Sequence, residues 1–194
     1  MDADRKCIEF QTITDPVIAE ITTDRLLLRK PSVADAEAIF DRYASDPVVC
    51  RYLAWPMHRN IADTLAFLEF SDAEWTRWPA GPYLIFAKAD NELCGSTGLA
   101  FESATLASTG YVLAQGSWGN GFAAEALLAM RSLAANLGVL RLYAHVHPDH
   151  RSSQRVLKKG AFALDGTLVA EFEFPNLDPG KLFDVVSYSW RPDQ

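Results

Sequence analysis

Cysteine is scarce in this 194-residue chain: Cys7, Cys50 and Cys94 are the only three, far apart and odd in number. No C-x-x-C pair and no Cys/His cluster at ligand spacing occurs, which excludes a thiolate metal centre and a disulfide framework and leaves inert thiols in a reducing cytoplasm. Positive charge is also short. Eighteen Lys and Arg face 25 Asp and Glu, a net charge of −7 that argues against nucleic acid and mildly favours cationic ligands such as amines. No apolar run is long enough to span a bilayer, and the opening M-D-A-D-R-K-C-I-E-F lacks the apolar core of a signal peptide, so a soluble cytoplasmic protein is expected. Repeats, low-complexity segments and internal linkers are missing too. With 49% hydrophobic residues, the chain has the material for one domain, read here as 21–192 after an extension at 1–20.

What is present alternates between helical and strand periods. T-D-R-L-L-L-R-K (23–30) reads as a strand ended by Pro31. Ser32 with Asp35 is a variant capping box for a helix over 33–44, and Asn60 with Asp63 opens another that runs to Pro79. The aromatic-rich segment 46–59 between them reads as an ordered loop. Strands follow at 82–88, 93–101 and 109–114. A helix over 121–137 is stopped by Gly138, and a strand at 140–146 and a helix at 151–159 come next. Strands at about 162–173 and 182–190 close the chain. The order β-α-α-β-β-β-α-β-α-β-β predicts an α/β fold with a mixed sheet. Strands 109–114 and 140–146, joined by a helix, form a parallel pair at its centre.

One stretch asks for a ligand. Q-G-S-W-G-N-G-F-A-A-E-A-L-L (115–128) places three glycines between a strand and a helix N-terminus. Free amides and the positive helix end make an anion cradle there, and glycine lets a bulky phosphate approach without meeting a Cβ. Glycines also serve in ordinary tight turns. A P-loop would need Lys and Ser/Thr directly after the last glycine, where Phe122 and Ala123 stand. A dinucleotide loop over Gly119, Gly121 and Ala124 would want a carboxylate at the end of the next strand, which instead reads Ala144-His145-Val146-His147.

W-G-N-G-F-A (118–123) resembles the pyrophosphate loop of the GNAT superfamily of acetyl-CoA-dependent N-acetyltransferases, with Trp118 in the Gln/Arg place as in the Rim-type branch that acetylates ribosomal proteins and other amines. H-R-S-S-Q-R-V-L-K-K-G-A-F (150–162) and T-D-R-L-L-L-R-K-P-S-V-A-D-A (23–36) are similar to two further segments of that branch, in the same order and covering about 22–190. Two positions depart. His150 stands for the usual Asn, and Ala161 replaces the Gly before Phe162, with Gly160 one place earlier, implying a shifted turn.

The resemblance implies a GNAT-like fold whose central parallel strands splay to admit the pantetheine arm of acetyl-CoA, with no metal. It places cofactor contacts at Tyr111, Val112, Leu113 and Ala114, at Trp118, Gly119, Asn120, Gly121, Phe122 and Ala123, and at His150 and Ser153. A backbone N–H near Val112 or Leu113 is the expected oxyanion donor. Ser153 is expected to protonate or steady the departing thiolate; a first-turn serine satisfying backbone is the plainer alternative. Lys158 and Lys159 are either phosphate contacts or a solvated helix face. The base is open. The branch often carries Glu near position 108, where this chain has Ser108. Glu102 acting through water, His145 and His147 are the substitutes. Trp55, His58 and Trp78, with segments 46–59 and 174–181, are candidates to shape the site for a small-molecule or peptide amine, in a monomer or homodimer, with core packing the plainer role for the two tryptophans. The alternative is a catalytically inactive acyl-CoA-binding sensor or partner-binding module.

Overall fold

A computed structural model describes residues 18–192. The extension expected at 1–20 therefore lies almost entirely outside the described residues. Eight strands form one sheet in the order β1-β2-β3-β4-β5-β6-β8-β7. They are β1 Glu20–Thr22, β2 Leu26–Arg29, β3 Pro82–Ala87, β4 Glu92–Ser103, β5 Leu106–Leu113, β6 Arg141–Val146, β7 Ala163–Glu173 and β8 Leu182–Trp190. The helices are α1 Ala36–Ile39, α2 Pro47–Cys50, α3 Ile61–Arg77, α4 Phe122–Asn136 and α5 Arg151–Lys159. Helix α1 is the middle of a longer helical run, with a 3-10 turn at Val33–Asp35 before it and a π turn at Phe40–Ala44 after it. The Ser32/Asp35 capping box starts that run, and Asn60, accepting from the Ala62 amide at 2.9 Å, starts α3. The sequence reading missed two short elements. Strand β1 forms a hairpin with β2, and α2 is capped by Asp46 inside the segment expected to be loop.

The two sheet faces carry separate cores. Helix α4 packs Ala126, Leu127, Met130, Leu133 and Ala134 with Leu99, Ala107, Leu113, Leu142, Ala144 and Val146 of the sheet. The opposite face packs Ile39, Tyr43 and Leu68 against Leu84, Phe86, Leu93 and Val112. Because side chains alternate along a strand, Tyr111 and Leu113 face α4, while Val112 faces α1 and α3.

The turn before Phe162 is not shifted, contrary to the expectation. Ala161 itself adopts the left-handed conformation, φ +60°. Gly160 has an ordinary φ of −75° and is small for another reason: a Cβ there would lie 2.6 Å from Leu127 Cδ2, where α5 meets α4.

The central pairing is short. Strands β5 and β6 run parallel at three positions, Leu106–Arg141, Ala107–Leu142 and Ser108–Tyr143, and pair no further. Beyond Ser108 the strands part while β5 stays paired to β4 as far as Gly95–Leu113. The sheet is split from that point to its edge.

Candidate active site

The split is a cleft of about 320 Å³ that passes between the two faces of the sheet, at the lower end of the range for small-molecule sites. Its β5 wall is Ser108 to Val112 and its β6 wall is Tyr143 to Val146. The pairing register decides which amides face it. Ala114 N–H donates to the Cys94 carbonyl at 2.8 Å, so alternate residues back from Ala114, including Val112, turn their amides to β4. Leu113, Tyr111 and Thr109 turn theirs into the gap. Of the two amides considered for the oxyanion, that of Leu113 turns into the gap and that of Val112 turns to β4. The indole of Trp118 donates to the Leu113 carbonyl at 2.8 Å. That side chain therefore fastens the strand edge.

The glycine loop sits at the mouth of the split. After a 3-10 turn at Gln115–Ser117, Gly119 and Gly121 both take left-handed φ, +80° and +81°. Gly121 is the N-cap of α4 and supplies no side chain to its amides. Among the described residues, no acceptor meets the amides of Gly119, Gly121, Phe122 or Ala123, and a Cβ on Gly119 would point into open space. Free N–H groups and a helix N-terminus thus coincide as the sequence suggested. Sequence reading missed the brace. Arg25 donates through Nε to Glu125 at 2.7 Å and through Nη1 to the Asn120 carbonyl at 2.9 Å, and Thr23 donates to the same carboxylate at 2.6 Å. Burial alone would raise the Glu125 carboxyl, but these donors outweigh it and hold it below the usual range. Gln115 ties the loop to the Asp46 carboxylate at 2.6 Å.

Ser153 does reach the cleft. Its Oγ lies 2.9 Å from the Tyr111 hydroxyl, which also donates to the Ser153 carbonyl at 3.0 Å. Tyr111 was expected only as a backbone contact. Burial pushes its phenol well above the usual range, so it stays a proton donor at neutral pH. His150 occupies the N-cap of α5 but makes no cap bond; its ring stacks on Tyr52 at 4.8 Å. Lys158 and Lys159 are exposed in the last turn of α5.

The opposite face carries Ser108, Tyr143 and His145, together with Tyr52 and Trp55 from segment 46–59 and Phe172 and Phe174 from the end of β7 and beyond. Asn176 locks these pieces together. Its amide accepts from Met57 N–H at 2.8 Å and donates to the carbonyls of Cys50 and Trp55 at 2.7 and 2.9 Å. Several expected residues lie elsewhere. Glu102 lines an adjoining cavity and accepts from the Tyr143 hydroxyl, so it meets the cleft only through that phenol. His147 is packed between Tyr52, Phe174 and Phe183, His58 is bonded to Thr64 at 2.8 Å, and Trp78 stacks on Phe101. The tyrosines, phenylalanines and Asn176 gave no local signal, because they converge from distant segments.

No described helix is long and apolar enough to cross a membrane, and no group of acidic, Cys or His side chains among the described residues is arranged to hold a metal.

The profile of the acetyltransferase (GNAT) domain matches residues 25–163. Two relatives are an uncharacterized N-acetyltransferase p20 of Bacillus licheniformis, 28% identical and covering 86% of this chain and 93% of its own, and an uncharacterized N-acetyltransferase YoaA of Bacillus subtilis, 29% identical and covering 87% and 94%. Among solved structures, a RimL ribosomal-protein α-N-acetyltransferase with coenzyme A superposes with a TM-score of 0.79 at 22% identity, over 90% of this chain and 98% of its own. A microcin self-immunity acetyltransferase with acetyl-CoA and AMP gives 0.77 at 21%, over 87% and 93%. A split sheet with a bare-amide loop at its mouth, under a domain match across most of the chain, places this protein in the GNAT acetyltransferase family, whose members transfer an acetyl group from acetyl-CoA.

Proposed function

We propose that the protein N-acetylates a primary amine (a protein N-terminus, an amino acid or another small amine) by direct attack on the thioester of acetyl-CoA. The observation that carries this reading is the cleft itself, with a hydroxyl pair on one face and an aromatic pocket on the other, and the bare-amide loop following its β5 wall. The diphosphate lies on the free amides between Trp118 and Ala123. The pantetheine arm pairs with the gap-facing edge of β5, as an added strand would. The thioester oxygen meets the Leu113 N–H, where charge gathers as the amine attacks. Ser153, from α5, and Tyr111, from β5, face the departing sulfur. Tyr111 remains protonated and Ser153 is its partner, so the pair supplies the proton the thiolate takes up.

Labelled acetyl-CoA is offered with a panel of free amino acids, polyamines and a peptide with a free N-terminus. Transfer of label to at least one of them is expected. Ser153→Ala and Tyr111→Phe are each expected to lower kcat by about 10- to 100-fold while acetyl-CoA binding, read by thermal shift, stays unchanged. Binding of acetyl-CoA with no transfer to any amine would instead make the protein a coenzyme sensor.

A further inference from the structure

Resting on that reading, we infer that His145 is the general base of the transfer, acting from β6 where the strand leaves β5. His145 lines the cleft on the acceptor face, two residues beyond the last parallel pair, Ser108–Tyr143. Ser108 offers no basic group, and Glu102, engaged by Tyr143, lines only the adjoining cavity, whereas His145 lines both that cavity and the cleft. The other titratable groups on the wall are phenols and His150, which is stacked on Tyr52 at the start of α5. The His145 ring is held on two sides, by Tyr143 at 4.8 Å and by Phe172 at 5.0 Å. Its Nδ1 is buried without a partner, which leaves Nε2 as the nitrogen to take a proton. The groups that face the ring are Arg141 and Tyr143 on its own strand, Glu102 on β4, and Asp165 and Glu171 on β7. Burial, helped by Arg141, lowers the imidazole below its usual value against the pull of the three carboxylates. The ring is therefore neutral and able to accept a proton at neutral pH.

The neutral amine attacks the thioester carbon and a C–N bond forms. The nitrogen, now positive, gives one proton to His145 Nε2. The C–S bond breaks, the sulfur leaves with its electron pair and takes a proton from the Tyr111–Ser153 pair, and solvent restores both groups. The test measures kcat against pH for the wild type, His145→Gln, His145→Phe and Glu102→Gln, with the best amine of the panel above. Both His145 variants are expected to lose about 100-fold or more in kcat, to lose the wild type's acidic limb, and to keep the acetyl-CoA thermal shift. In the wild type that limb falls below the ordinary histidine value of about 6.5. His145 variants within about threefold of wild type, or retaining the limb, would overturn the assignment. So would loss of the limb in Glu102→Gln alone. A wild type that binds acetyl-CoA and acetylates nothing would fail at the earlier step, and the transfer reading would fall with the base.

Discussion

The two sides of the split sheet offer different surfaces. The side proposed for the coenzyme presents mostly backbone. Gly119 and Gly121 hold left-handed φ, the amides at the start of α4 stay free, and the Leu113 amide lines the β5 edge. The acceptor side is built of side chains brought from far apart: Tyr52 and Trp55, Ser108, Tyr143 and His145, Phe172 and Phe174. Backbone recognition demands glycines at fixed places next to a helix start, so it leaves a compact mark in the chain. Convergent side chains leave none, since each is an ordinary residue until the fold places it.

Breaking the coenzyme side should have the largest effect. Gly121→Val puts a β-branched residue at φ +81°, which such residues hardly adopt, and disturbs the amides that meet the diphosphate. A loss of about 100-fold or more in acetyl-CoA affinity is expected, read by calorimetry. Unchanged affinity would show that the diphosphate is held elsewhere.

The acceptor side breaks at Asn176. Asn176→Ala removes all three bonds that tie segment 46–59 to the chain beyond β7. Trp55 then loses its support on the cleft wall. The expected result is a rise of roughly tenfold in KM for the amine, with acetyl-CoA affinity unaltered, consistent with a net worth of about 1 kcal/mol for a typical intramolecular hydrogen bond. If both ligands weakened together, the two sides would not be independent.

Legibility in the sequence follows the same division. Caps, breakers and periods located the main strands and α3, α4 and α5, because those signals are local: Asn60 opens α3 and Gly138 follows α4. Strand β1 has three residues and α2 four, too short for a period to show. The splay of β5 from β6 was expected from family resemblance, and its starting point at Ser108 emerges only from pairing. Glu102 and His145 show the cost. Both were candidates for the base on sequence and both line the adjoining cavity, but only His145 also lines the cleft.

The smallest effect sharpens the comparison from outside the site. Ala161 holds φ +60° where the family resemblance places glycine, and the left-handed conformation costs an L-residue roughly 1–2 kcal/mol. Substituting glycine relieves that strain but adds conformational freedom to the unfolded chain, worth roughly 0.4–1 kcal/mol in the opposite sense. The difference favours Ala161→Gly by roughly 0.5–1 kcal/mol, a rise of about 1–4 °C in Tm for a domain of this size. Ala161 is exposed and makes no contact with the cleft, so kcat and both ligand affinities should stay as they are. A fall in Tm would mean that the turn is relaxed with alanine. A change in amine affinity would mean that the end of α5, and with it Ser153, is coupled to this turn, and the hydroxyl pair would then depend on more of the chain than its own hydrogen bond.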